Sequence, residues 1–170
     1  MCADVSTDII ECMASSDNVV RAGFTPKFQD IPTLTSMLTY SYAPPSEQKL
    51  PPVDYPYVTL NTTAYSSSSS SLLYDPPIEE FSVVKTELRK EKAKATFEGI
   101  EGPSVLICTG GAGYVSVGPK REECKEGYVF FVGATAELVI ESSSDEPFTT
   151  FKAFCELEGK ETANGANGTS

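Results

Sequence analysis

From residue 81 to residue 157 the sequence repeats one pattern: a short alternating or apolar segment, then a cluster of Gly, Ser, Asp or Pro. Turns recurring every roughly 8–12 residues leave no room for helices of ordinary length and predict an antiparallel β-sandwich or jelly roll. The segments fall at residues 81–88, 95–100, 104–108, 113–117, 128–132, 136–140 and 148–157. Thr109-Gly110-Gly111-Ala112 reads as a hairpin turn between two of them. Residues 128–132 are apolar on both faces and are predicted to lie between two layers. In the last segment Phe151, Ala153 and Cys155 share one face, and Lys152, Phe154 and Glu156 the other.

The first half is built differently. Residues 8–14 are short and largely apolar and read as a strand, followed by turn chemistry at Ser15-Ser16-Asp17-Asn18. Asp30 is placed to cap a short helix, Pro32 suits its first turn, and Leu34, Met37 and Leu38 fall on one face. Residues 41–72 hold Pro44-Pro45, Pro51-Pro52, Pro56 and an unbroken serine run from Ser66 to Ser71, so an irregular excursion is expected there. Residues 159–170 read as a disordered polar tail.

Composition narrows the chemistry. At 170 residues the chain is long enough for one ordinary domain with a core. Its net charge of −11 argues against nucleic-acid binding, which needs clustered cations. Histidine is absent, which excludes Ser–His, Cys–His and His-ligated metal chemistry within this chain. No membrane span or signal peptide is evident. The five cysteines are odd in number and widely spaced, and read as reduced, mostly buried thiols of a cytoplasmic protein.

The segment with chemical promise is Glu11-Cys12-Met13-Ala14-Ser15-Ser16-Asp17-Asn18-Val19-Val20-Arg21-Ala22-Gly23-Phe24-Thr25-Pro26-Lys27. Asp17 and Arg21 are four apart, and Ala22-Gly23 lets backbone come close to whatever Arg21 touches. Two readings stand side by side. Arg21 captures a phosphate or carboxylate through its paired donors, or it braces a loop against Asp17.

This stretch closely resembles the second signature of type I mannose-6-phosphate isomerases, H-A-Y-hydrophobic-x-G-x-x-hydrophobic-E-x-M-A-x-S-D-N-x-hydrophobic-R-A-G-hydrophobic-T-P-K. Every position matches from Ile10 onward, with Phe24 where an aliphatic residue is usual. Tyr74-Asp75-Pro76-Pro77 and Phe81-Ser82-Val83-Val84-Lys85-Thr86 look like the entry to that family's C-terminal β domain. The resemblance implies a mainly β, cupin-type jelly-roll sandwich with one short helix near the N-terminus. It divides the chain into four parts: residues 1–40 as a remnant of the catalytic cupin region, 41–72 as the Pro/Ser-rich excursion, 73–158 as a C-terminal β-sandwich domain, and 159–170 as the tail.

It also implies zinc-dependent interconversion of mannose 6-phosphate and fructose 6-phosphate, a step in carbohydrate metabolism towards GDP-mannose. Arg21 then matches the family's catalytic arginine, with Asp17 and Lys27 as substrate-binding residues of the same loop. The signature's zinc-binding His falls at Cys2, its Tyr at Asp4 and its Gly at Thr7, and the other ligands lie upstream of this chain. No metal site is therefore expected here, zinc is not expected to bind the chain alone, and the isolated chain is expected to be inactive. The alternative is a non-catalytic β-sandwich serving as a binding or assembly module.

Overall fold

The computed structural model describes residues 10–15, 19–40, 42–61 and 69–155. It falls into two compact units, Met1–Leu50 and Pro51–Ser170. Residues 16–18 of the turn expected at 15–18, residues 66–68 of the serine run and the C-terminal tail lie outside the described residues.

The second unit is a sandwich of two antiparallel sheets. Its strands are β1 (Val53–Asp54), β2 (Val58–Leu60), β3 (Ser70–Tyr74), β4 (Ser82–Leu88), β5 (Lys94–Phe97), β6 (Ser104–Gly110), β7 (Ala112–Val117), β8 (Lys120–Lys125), β9 (Val129–Val132), β10 (Leu138–Ser142) and β11 (Phe148–Phe154). One sheet runs β1-β3-β4-β11-β6-β9 and the other β2-β5-β10-β7-β8. The mainly β, jelly-roll architecture expected from the turn spacing is thus what the chain adopts.

Period-two alternation builds the core. In the first sheet Val84, Leu88, Leu106, Phe148 and Phe154 point inward; in the second, Ala95, Phe97, Val115, Leu138 and Ile140 meet them. Each large side chain so buried contributes on the order of 1.5–3 kcal/mol relative to exposure. One inward row is polar. Ser71, Thr86 and Thr150 are register partners across β3, β4 and β11. The Ser71 and Thr86 hydroxyls share a 2.9 Å hydrogen bond, and the buried Thr150 hydroxyl has no partner among the described residues.

The outer faces differ. On the five-stranded sheet Lys94 and Arg121 both reach Glu141, at 3.1 and 3.5 Å, and the Arg121 guanidinium lies 4.0 Å over the Tyr114 ring. On the six-stranded sheet Val105 pairs in register with Phe131, and Ile107 with Val129. There Phe131 is 75% exposed and Val129 59%.

Four expectations are corrected. Residues 41–72 do not form a wholly irregular excursion, because β1, β2 and the start of β3 lie within them. Pro56 sits between β1 and β2, the other prolines precede β1, and β1 and β2 are edge strands, where missing ladder donors are tolerated. Tyr55, next to Pro56, is only 4% exposed and packs its ring within 6.2 Å of Tyr57, Phe97 and Phe154.

The glycine-rich link at 109–112 is not a hairpin turn: β6 belongs to one sheet and β7 to the other. The chain crosses the sandwich at Gly111, whose φ of +74° and approach to the Pro147 carbonyl leave no room for a Cβ. Residues 128–132 are not enclosed between layers; β9 is the edge of its sheet with one face open to solvent. Strand β8, five of whose six residues are charged, carries its fold signal in Cys124 alone, the single inward side chain.

In the first unit, α1 spans Ile31–Met37. Asp30 caps it as expected: its carboxylate accepts from the Thr33 amide at 3.1 Å and the Thr33 hydroxyl at 2.8 Å. Those two hydrogen bonds hold the Asp30 carboxyl below its ordinary range. Residues 10–14, the described part of the strand expected at 8–14, carry none; residues 8 and 9 lie outside the described residues. An extended segment becomes a strand only when a neighbour supplies ladder partners, and none does so among the described residues.

Candidate functional site

The loop from Val19 to Asp30 carries the candidate residues. Val20 and Arg21 are half-buried, whereas Ala22, Gly23 and Phe24 are exposed. Gly23 has a φ of +87°, in the left-handed region that glycine enters without strain, and a Cβ built there meets nothing within 4 Å. The turn therefore needs glycine for its backbone angle, not for a close packing contact. Two local bonds shape the remainder of the loop. The Gln29 side-chain amide donates to the Gly23 carbonyl, and the Lys27 amide donates to the Thr25 hydroxyl at 3.2 Å.

Gln29 carries no role in the signature as read from sequence. Its only signal is a side chain long enough to reach back across a loop that opens at a glycine.

Between these bonds lies a shallow, open depression of about 450 Å³, lined by Gly23, Phe24, Thr25, Pro26 and Gln29. Neither Arg21 nor Lys27 lines it. Arg21 enters the loop and the exposed Lys27 leaves it, so two cations bracket the depression along the chain. Asp17 lies outside the described residues. Just upstream, burial pushes the Cys12 thiol above its ordinary range, so it is not an activated nucleophile.

A loop of this kind offers backbone amides, the Thr25 hydroxyl, the Gln29 amide and two cations, which suits an anion. It does not suit a metal. Among the described residues no group of three or more His, Cys, Asp or Glu side chains is placed to hold one, and the chain has no histidine. Nor is any helix among them long and apolar enough to cross a membrane.

The sandwich holds one further charged group of note. Lys152 on β11 is 3% exposed, and its amine lies 4.4 Å from the Phe97 ring centre, 5.1 Å from Phe154 and 5.4 Å from Tyr55. Burial lowers its pKa to about 8, while three ring faces favour the cation and oppose that shift in part.

Comparison with known proteins places the chain. Residues 71–120 match the model for the phosphomannose isomerase type I C-terminal region. A mannose-6-phosphate isomerase of Aspergillus fumigatus is 70% identical over 165 residues, covering 97% of this chain and 36% of that protein. The corresponding protein of Emericella nidulans is 72% identical over 169 residues, covering 96% and 37%. That of Saccharomyces cerevisiae is 46% identical over 154 residues, covering 91% and 34%. The chain therefore spans little more than a third of the length of the curated relatives it matches. Among solved structures, mannose 6-phosphate isomerase from Salmonella typhimurium, bound to its substrate fructose 6-phosphate and zinc, shares the fold. The TM-score is 0.63 at 23% identity, covering 85% of this chain and 32% of that one.

Proposed function

The chain belongs to the type I mannose-6-phosphate isomerases, of which it represents the C-terminal portion, and from that premise we propose that it supplies the anion-holding loop for interconverting mannose 6-phosphate and fructose 6-phosphate. The observation that carries this reading is the segment from Glu11 to Lys27, with Arg21 half-buried ahead of a glycine turn. Moving a proton between the first two carbons of the sugar puts negative charge on their oxygens. A fixed guanidinium stabilises that charge as it develops, without having to reorganise. Arg21 is assigned that role, and Asp17 and Lys27 are assigned to substrate binding. A sugar-phosphate dianion approaching a chain of net charge −11 depends on such local cations.

Zinc does not fit the described residues, and no step of this proposal passes through it. The isolated chain is proposed to bind no zinc stoichiometrically and to be inactive, and its compartment to be the cytoplasm, where free thiols persist. A non-catalytic binding or assembly role is the second reading. It is favoured by the sandwich closing its own core while containing none of the three candidate residues.

A coupled isomerase assay tests the first reading. The purified chain with added zinc gives no turnover, and a chimera carrying the upstream part of the Aspergillus fumigatus relative turns over mannose 6-phosphate. Failure of that chimera, folded and zinc-loaded, leaves the module reading standing.

A further inference from the structure

Each sheet of the sandwich ends in two edge strands, and three of the four are guarded against pairing with another chain. In β8 five of six residues are charged. β1 carries Asp54 and follows Pro51-Pro52, and β2 is three residues long and lies just after Pro56. β9 has none of these devices. It reads Val129-Phe130-Phe131-Val132, and no charged residue or proline occurs from Gly127 to Ala136.

The strand is also apolar on the side it shows to solvent. Val129 and Phe131 are exposed, and their register partners Ile107 and Val105 extend the same face across β6. The outward positions of a one-sided antiparallel sheet are ordinarily polar, as they are at Lys94, Arg121 and Glu141 on the other sheet. The backbone is as open as the face. The Tyr128 carbonyl accepts from the Cys108 amide of β6 at 3.0 Å. Alternation then turns the amides and carbonyls of Phe130 and Val132 towards β6, and those of Val129 and Phe131 towards the open edge. No described strand lies beyond β9.

We propose that β9 is a self-association edge, to which a second copy of this chain adds its own β9 antiparallel, joining the two six-stranded sheets into one. About a twofold axis normal to the sheet, Phe130 meets Phe130 of the second copy, and Val129 meets Phe131 of the second copy on either side. Outward side chains then face outward side chains, and each Val129–Phe131 pair exchanges both of its backbone hydrogen bonds. A slip of one residue sets these outward side chains opposite the inward Phe130 and Val132, so the register is specified. Charge selects the occupant. Two chains of net charge −11 repel one another wherever charged surfaces meet. The β9 edge brings no charged strand residue of one copy against the other, and its apolar row is complementary to itself, as an isologous contact requires.

The test uses the whole chain. Sedimentation at roughly 100 µM, where a weak interface between two short edges fills, gives twice the mass of a single chain and returns to the single mass on dilution. Amide hydrogen exchange slows at Val129 and Phe131 at the higher concentration. Phe131→Lys sets two like charges diagonally across the joint, and Val129→Pro deletes an amide that only the second copy uses. Each variant keeps a single-chain mass at the higher concentration, with the circular dichroism of the wild type and, at dilution, its urea midpoint. A single-chain mass for the wild type overturns the proposal. So does a doubled mass that survives either substitution: survival of Val129→Pro means faces stacking without strand pairing, and survival of Phe131→Lys means contact elsewhere. A single mass for the chimera with the upstream part of the Aspergillus fumigatus relative, with slow exchange at Val129 and Phe131, gives the edge to that upstream part and overturns it as well. Where a variant does not fold, the wild-type mass and exchange rates decide.

Discussion

In the sandwich, Phe97, Phe148, Leu88, Leu106, Leu138 and Ile140 are fully closed off from solvent. In residues 10–40, no residue of α1 is buried, and Met13, Phe24, Phe28 and Met37 are largely exposed. The sandwich satisfies itself through ladders and core; the signature loop is held by a helix cap and a few local hydrogen bonds. Yet Arg21 and Lys27, the candidate site residues that are described, belong to the second kind of structure. Stability and the proposed chemistry are thus carried by different stretches of one chain, and substitutions in each should report on one property and spare the other.

The largest effect separates the two directly. Phe97→Ala removes a ring from the centre of the core and costs about 3–5 kcal/mol. Leu34→Ala in α1 stays within about 0.5 kcal/mol, because its side chain is not buried. Urea denaturation followed by circular dichroism of the sandwich measures both. A Leu34→Ala cost equal to that of Phe97→Ala removes the distinction.

Lys152→Met comes next and acts in the opposite sense. The folded-state pKa of about 8 lies below the ordinary 10.5. The unfolded chain therefore binds the proton more tightly, and burying Lys152 as a cation costs stability at neutral pH. Between pH 8 and 10.5 the wild type gains stability as pH rises, because the folded amine has already lost its proton. The methionine variant removes the buried charge, gains roughly 2 kcal/mol at pH 7 and loses that pH slope. Denaturation midpoints across about pH 7–10 decide this, and parallel curves for the two proteins contradict it.

Thr150→Val is a smaller test. The buried hydroxyl has no partner among the described residues, so its removal is neutral or stabilising by about 1 kcal/mol. Smallest is acidification of the Asp30 cap. Its carboxyl is held below the ordinary 3.8 by the two bonds from Thr33. The cap thus contributes above that ordinary value and is lost as pH falls through the lowered one. Backbone chemical shifts of α1 should move towards coil at low pH while those of β4 and β11 stay put.

Much of the sandwich was visible in the sequence because burial enforces alternation. Seven of its strands follow from short alternating or apolar segments set between turns. What escaped did so for physical reasons. β8 buries one side chain among five charged neighbours, too little for a period to register. β1 and β2 are two and three residues long and owe their existence to partners far along the chain. The crossover at Gly111 looks locally like a hairpin, since glycine permits both, and only the identity of the paired strands distinguishes them.

The site divides similarly. The loop and the Asp30 cap were readable from local residue types, whereas the left-handed turn at Gly23, where the sequence suggested only close backbone approach, and the Gln29 clasp depend on conformations that no periodicity encodes.

The claim on which the account turns is that Arg21 serves chemistry and not folding. It is tested most directly by Arg21→Ala in the chimera with the upstream part of the Aspergillus fumigatus relative, measuring isomerase turnover and the urea midpoint of the same preparation. The account predicts turnover lowered at least about a hundredfold with the midpoint unchanged. Undiminished turnover, or a loss of activity that tracks a loss of folded protein, contradicts it.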